Sequence, residues 1–409
     1  MKRLLVIGNN WPEPTTTAAG TRLLQLLKIF QSDGYEVHFA SAAAKSDYSV
    51  DLTGLNITEQ EIKLNNSSFD TYIQKLQPDV VLYDRFMMEE QYSWRVKENA
   101  PHTKHILDTE DLHFLRKARE EAFKKNNKIN LYTEVAMREI AAIHRCDLSL
   151  IISLTEYQLL LDAFDMDASK VFYIPFLIDQ KEILAAREKA TTFSERSHMV
   201  MIGNSLHKPN YDAIFYMRNF IWPKIRKNNP NVEVHVYGAY QNQAIYQLND
   251  IQLGFIIKGY AVDAVETISK YRLLLAPLRF GAGQKGKIFD AMKANTPVAM
   301  TSIAAEGMFN KSDTYGFVED NPEAFASKCL EVYNNENDWC ALSGKNLVIW
   351  EEFYSYSAFA KALLGRVQLL FSYKNNTTLE GSFSIQMLVY HSQKANKYLS
   401  KWIEEKNVD

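Results

Sequence analysis

The chain has 409 residues, more than one ordinary hydrophobic core can serve and enough for two α/β domains. A hydrophobic share of 46% and a charged share of 23% exclude a disordered chain, a fibrous repeat and a disulfide scaffold. A formal net charge of -3 gives no overall attraction to nucleic acid, which is not expected as a partner.

Three cysteines, Cys146, Cys329 and Cys340, lack metal-type spacing, and Met1 to Gly8 leads straight into a strand pattern. A reduced, cytoplasmic protein is expected. No uncharged run approaches the roughly 18–20 residues of a membrane span.

In chain order, short apolar runs bounded by turns alternate with helical patterns, the sequence form of βαβ units and parallel sheets. Strands are predicted at 3–7, 36–40, 80–83, 105–107, 148–152 and 171–174. A helix is predicted at 21–31 and a long polar helical stretch at 112–145. Residues 180–197 are polar and helix-prone and suit a linker. A second block follows with strands at 198–202, 232–237, 255–258, 273–276 and 298–300, and helices at 212–227, 262–270 and 286–293. From Pro322 onward only helices are expected, including one near 358–371 and an amphipathic stretch ending near Glu404 after a polar break at 372–381. The predicted organisation is a first Rossmann-like domain over 1–179, a linker over 180–197 and a second Rossmann-like domain over 198–354. C-terminal helices over 355–409 return to the first domain. Two facing doubly wound parallel sheets imply a cleft between the carboxyl ends of their strands.

The most informative segment runs from Leu275 to Val298, where a strand leads into a loop with Gly281, Gly283 and Gly286 and then into a helix. Glycines allow close backbone approach to a ligand, and the free N–H groups of a first helical turn favour an anion. Lys285 and Lys287 add positive charge, and Asp290, one turn further, can accept hydrogen bonds from the two hydroxyls of a ribose. Glycine spacing alone favours the plainer reading, a tight turn with a solvated edge.

The order Pro-Leu-Arg-x-Gly-Ala-Gly, Lys-Gly-Lys, acidic, Ala-Met and Pro-Val, followed by Ala305-Glu306-Gly307, resembles the donor-site motif of glycosyltransferase family four. The similarity continues through Met201 to Ala213, Trp222-Pro223, Gly259 and Asp320 to Phe325, and covers roughly 199–326. It implies the GT-B fold and transfer, with retention, from a nucleotide sugar that serves as co-substrate. No cofactor and no metal are implied. Donor contacts are implied for Gly203, Lys208, Asn210, Arg279 and Gln284, with the three loop glycines, Asp290 and Glu306; Lys285 and Lys287 act on the diphosphate. The family carries two glutamates eight residues apart, and here Asp290 takes the second place and Ala282 the first. The ribose contact therefore carries over, whereas the carboxylate contact to the donor sugar does not. For Asn210 the other reading is a helix cap, and for Glu306 a solvated loop residue.

In the first half, the loop from Pro12 to Arg22 resembles the family's N-terminal loop beside the cleft, with Gly20 the position carried over. Leu107 to His113 resembles a segment of some bacterial members. Asp108, Glu110, Asp111 and His113 are candidates to orient an acceptor hydroxyl or accept its proton, since transfer to a hydroxyl gains from a base within hydrogen-bond reach, and Asp111 is the candidate catalytic residue. A helix N-terminus with acidic residues is the competing account, favoured for Glu110 and His113. Asp165 and Asp167 match a metal-binding pair but read as turn residues. The basic run Arg116-Lys117-Ala118-Arg119 with Lys124, Lys125 and Lys128 suits contact with anionic lipid at the inner face of the membrane. Glu120 and Glu121 interrupt it, which favours a solvated helix face.

The expected partners are a nucleotide-sugar donor and a glycan, lipid-linked or small-molecule hydroxyl acceptor. Two alternatives stand beside transfer: a catalytically degenerate GT-B protein that binds nucleotide sugar or glycan, and a GT-B nucleotide-sugar epimerase.

Overall fold

A computed structural model describes residues 2–309, 314–372 and 383–407. Seven strands make the first sheet: β1 (Arg3–Gly8), β2 (Glu36–Ser41), β3 (Thr58–Glu61), β4 (Val80–Asp84), β5 (Lys104–Asp108), β6 (Leu148–Ile151) and β7 (Val171–Tyr173). Six make the second: β8 (Met199–Ile202), β9 (Val234–Tyr237), β10 (Phe255–Gly259), β11 (Leu273–Ala276), β12 (Val298–Met300) and β13 (Phe317–Val318). All pairings within both are parallel, in the orders β3-β2-β1-β4-β5-β6-β7 and β10-β9-β8-β11-β12-β13. The two facing Rossmann-like sheets expected from the sequence are present. Their central strands are buried on both faces, so they read as unbroken apolar runs.

The unpredicted strands lie at the sheet edges. β3 is Thr-Glu-Gln-Glu, polar because an edge strand keeps much of its surface in water, and β13 is two residues long. The stretch 112–145 is two helices, His113–Lys125 and Glu134–Arg145. Asn126 ends the first in a left-handed conformation at φ 51°, and the Thr133 hydroxyl caps the second by accepting from the Ala136 N–H. Asp165 likewise ends a helix at φ 47°, and Asp167 accepts from the Ser169 N–H, so both serve a turn.

Residues 180–197 hold a helix, Gln180–Glu188, and are tied to the second domain. Ile183 joins that domain's core, and the buried Arg196 donates to Thr296 Oγ1 at 2.6 Å and to the Ala294 carbonyl at 3.0 Å. The chain then comes back beside its own linker, where Ile178 and Ser355 form a parallel bridge. Helix Tyr356–Ser372 places Ala360, Leu363 and Val367 among the core residues of the first domain. Helix Phe383–Lys406 lies on helices Phe86–Asn99 and Glu134–Arg145. Among the described residues no helix is long and apolar enough to cross a membrane.

Strand order reverses between β1 and β4 in one sheet and between β8 and β11 in the other, and the loops at these two points face each other. Behind the first lies an ion pair with both side chains about 1% exposed. Arg22 Nη2 and Nε donate to Asp108 Oδ1 at 2.9 and 3.0 Å, and Arg22 Nη1 donates to the Ile174 carbonyl at 2.7 Å. Arg22→Met would strand a buried carboxylate and should cost about 3–5 kcal/mol in urea unfolding. Loss of less than about 1 kcal/mol would mean that Asp108 finds another partner.

Candidate functional site

On the second domain the site begins where β8 ends. A Cβ on Gly203 would stand 2.7 Å from Asn210 Nδ2 and 3.0 Å from Lys287 Nζ, so a side chain here would push both groups from their present places. Lys287, in the first turn of helix Gly286–Lys293, donates to Asn210 Oδ1 at 2.9 Å; Asn210 Nδ2 in turn donates to the Asn204 carbonyl at 3.0 Å. Asn210 lies inside the helix Lys208–Tyr216 and positions the lysine rather than capping the helix. Lys287 keeps part of its surface open, yet the surrounding protein pulls its pKa down to about 8 by desolvation. One turn later, the Asp290 carboxyl makes no hydrogen bond or ion pair among the described residues. Burial, opposed by Lys293, raises its pKa to about 6.

The loop before this helix touches the other domain. Gly283 has φ 66°, and a Cβ on it would stand 2.8 Å from Asp111 Cβ. Its N–H donates to Glu156 Oε1 at 2.6 Å, a fully buried carboxyl whose pKa burial raises to about 8. Gly286 packs against Ala18 at the start of helix Ala18–Ser32, and Gly20, in the first turn of that helix, packs against the Glu13 backbone.

On the first domain Asp111 follows β5. Its Oδ2 meets Arg116 Nε at 3.0 Å and its Oδ1 meets His113 Nε2 at 3.4 Å. Burial would raise its pKa, but Arg116, His113, His207 and Arg85 outweigh that and hold it below the usual carboxylate range. Burial drives His113 down to about 3, and its ring stands edge-on to Phe86. It is neutral at physiological pH. Glu110 and Arg85 flank this loop in left-handed conformations, at φ 61° and 77°.

Several candidates are engaged elsewhere. Asp108 belongs to the Arg22 ion pair and is fully buried. Arg279 is clamped by Asp212 at 2.8 and 2.5 Å, with its guanidinium over the rings of Phe123 and Tyr216. Lys285 Nζ donates to the carbonyls of Gly283 at 2.7 Å and Glu306 at 3.2 Å, bracing the loop from behind; burial pulls its pKa down to about 8. Gln284 holds the Gly307 carbonyl and accepts from the Phe176 N–H. Glu306 receives both arms of Arg119, at 2.6 and 2.9 Å, and Arg119 also donates to the Gly281 carbonyl. Lys208 reaches across the cleft to Glu120 at 3.0 Å. Four members of the basic run are paired: Arg116 with Asp111, Arg119 with Glu306, Lys124 with Glu120 and Lys125 with Glu121.

Arg85, Arg116, Arg119, Glu156 and His207 are the site residues that sequence reasoning missed. Arg85 directly follows β4 at the topological switch point, a position that could have been inspected. The others sit in helices or an ordinary loop, and only the docked domains bring them here. On the other side of Arg119 a groove of about 770 Å³ opens between the domains, lined by residues that include Leu115, Leu154, Phe309 and Phe353.

Residues 196–335 match the family described as Glycosyl transferases group 1, which places the Gly203, Lys287 and Asp290 cluster inside the matched segment. Sucrose-phosphate synthase from Thermosynechococcus elongatus superposes with a TM-score of 0.68 at 12% identity, covering 91% of this chain and 100% of that one. A glycosyltransferase from Rickettsia africae gives 0.64 at 13% identity, covering 92% and 99%. HepE of Anabaena in complex with UDP-glucose gives 0.65 at 11% identity, covering 91% and 100%. At these identities the likeness is one of fold, and the fold is that of the GT-B glycosyltransferases. No curated protein sequence matches the chain.

The raised Asp290 pKa has a testable sign. The folded chain holds this proton to about pH 6, whereas the unfolded carboxyl releases it near 3.8. Its ionisation therefore costs stability progressively as pH rises from about 4 through 6, and the full cost is present above that range. Asp290→Asn should raise the Tm of the unliganded protein near neutral pH and lose that advantage below about pH 4. A Tm difference independent of pH would show that Asp290 ionises without penalty.

Proposed function

We propose that this chain is a retaining glycosyltransferase of the family-four type, moving a sugar from a nucleotide-sugar donor to a hydroxyl acceptor on a glycan, a lipid-linked sugar or a small molecule. One observation carries the reading. Lys287, Asn210 and the start of helix Gly286–Lys293 converge on Gly203 at the switch point of the second sheet, and the loop that leads into this helix touches Asp111. The glycosyl transferases group 1 match over these residues and the UDP-glucose in the HepE structure support it.

In this reading the donor diphosphate lies at the helix N-terminus, where free N–H groups and the Lys287 ammonium oppose the negative charge that grows on the leaving group. Lys285 acts through the loop, keeping the Gly283 and Glu306 carbonyls turned away from the phosphates. The Asp290 carboxyl, without a hydrogen-bond partner among the described residues, accepts from the ribose hydroxyls. Asp111 stays ionised and accepts a hydrogen bond from the acceptor hydroxyl, holding its oxygen toward the sugar; neutral His113 and Arg116 fix the carboxylate. The charge at this site makes a divalent metal and a cofactor unnecessary, and the unpaired Cys146, Cys329 and Cys340 suit the cytoplasm.

A second reading has a specific observation behind it. Ala282 stands where the family has a carboxylate, and Glu306, the nearby acid, is held by Arg119. A protein that binds a nucleotide sugar without turning it over would look the same. Release of nucleoside diphosphate in the presence of acceptor separates the two.

The variants should fail differently. Asp290→Ala should weaken donor binding about ten- to a hundredfold, the equivalent of about 1.5–3 kcal/mol for hydrogen bonds to a charged group, and leave inhibition by inorganic diphosphate nearly unchanged. Lys287→Ala should weaken both donor and diphosphate. Asp111→Asn should lower kcat more than donor affinity. Wild-type donor affinity in folded Asp290→Ala and Lys287→Ala would overturn the site assignment.

A further inference from the structure

The last described helix is attached the wrong way round for an ordinary amphipathic helix. Helix Phe383–Lys406 holds the first domain with polar groups. Arg145 Nη1 donates to Ser392 Oγ at 2.9 Å, Arg95 Nη2 donates to Glu404 Oε2 at 2.8 Å and to Ser400 Oγ at 3.5 Å, and Lys397 pairs with Glu98. Both arginines are themselves fixed, Arg145 by the fully buried Glu89 and Arg95 by Asp70. The inward face is therefore firmly held.

The outward face carries Phe383, Met387, Tyr390, Tyr398, Leu399 and Trp402, from 44% to 72% exposed. Apart from Leu399 at its margin, this set follows steps of three, four and eight residues, which at 3.6 residues per turn form one stripe along the helix. A surface helix normally turns its apolar stripe to the core, and one that turns it to water needs a partner. Lysines interleave with it. Lys394 and Lys401 lie within the stripe, both exposed and without an ion pair among the described residues; Lys406 stacks its ammonium over Trp402, 3.9 Å from the ring centroid.

We infer that this helix is an interfacial anchor that seats the first domain on an anionic lipid bilayer. Aromatic rings and aliphatic side chains would enter the boundary between headgroups and acyl chains, while the lysine ammonium groups meet the lipid phosphates. Charge decides between this partner and a second copy of the chain. Two such faces brought together would oppose Lys394 and Lys401 with their own equivalents, and Glu405 is the one acidic side chain along the stripe. An anionic surface has the complementary sign. The inference is independent of glycosyl transfer and lies on a different helix from the basic run at Arg116–Lys128.

The test uses the full chain with vesicles of phosphatidylcholine alone and with added phosphatidylglycerol. Trp11, Trp94, Trp222, Trp339 and Trp350 are buried, so Trp402 is the exposed reporter among the six tryptophans. We expect cosedimentation with the phosphatidylglycerol vesicles and a blue shift of Trp402 emission, both reduced by salt. Lys394→Glu with Lys401→Glu, and separately Tyr398→Ser with Trp402→Ser, should weaken cosedimentation about tenfold or more. Tm should stay at the wild-type value, since these residues face away from the domain. Absence of cosedimentation would overturn the inference. So would a concentration-dependent dimer in light scattering that Tyr398→Ser with Trp402→Ser dissolves, because the face would then belong to a second copy.

Discussion

The approach of the donor loop to the first domain constrains most of the site. Gly283 lies against Asp111 with no room for a side chain between them, and its N–H is held by Glu156. Two carbonyls of this loop are held, that of Gly281 by Arg119 and that of Gly283 by Lys285, which also takes the Glu306 carbonyl of the neighbouring loop. What it leaves facing the cleft is the start of a helix, with Lys287 as its nearest cation. The electrostatics of the second domain and the placement of Asp111 thus follow from one close contact between two backbones.

Much of this machinery is electrostatically costly. Glu110, Glu139 and Glu156 all have pKa values raised to about 8 by burial, and Lys285 and Lys287 are pulled down to about 8. Glu139 offsets part of its burial by accepting from the His113 and Phe114 N–H groups at a helix start. Such a concentration of strained titratable groups is what a site for charged chemistry requires, and it makes the cleft expensive to keep without ligand. The Arg22 and Asp108 pair secures the first domain's side from behind, so the loops in front can carry this strain.

The C-terminal helices distribute this stability differently. Helix Tyr356–Ser372 adds apolar side chains to the core of the first domain, whereas helix Phe383–Lys406 adds ion pairs and hydrogen bonds and turns its aromatic residues outward. The first completes a domain, and the second decorates it. The second helix thus adds little apolar burial to its own domain and leaves an apolar surface outward.

The sequence by itself determined the doubly wound character of both halves, because central parallel strands are buried on two faces and must be continuously apolar, as in Leu4 to Ile7 and Leu273 to Ala276. It also determined the glycine loop and the lysine and aspartate beyond it, since these lie within one local turn and helix whose spacing is set by backbone geometry. Tertiary structure alone decided which charges are free. Arg279, Lys285 and Glu306 read as ligands by position, yet each is taken by a partner that is distant in the chain or on the loop's own backbone: Asp212, the Gly283 carbonyl and Arg119. Edge strands such as β3 were likewise invisible, because a strand half in water has no apolar run to betray it. The physical reason is that periodicity and turn chemistry are local and are written in consecutive residues, whereas the partner a charge finds, Asp212 for Arg279 or Arg119 for Glu306, depends on how distant segments fold against each other.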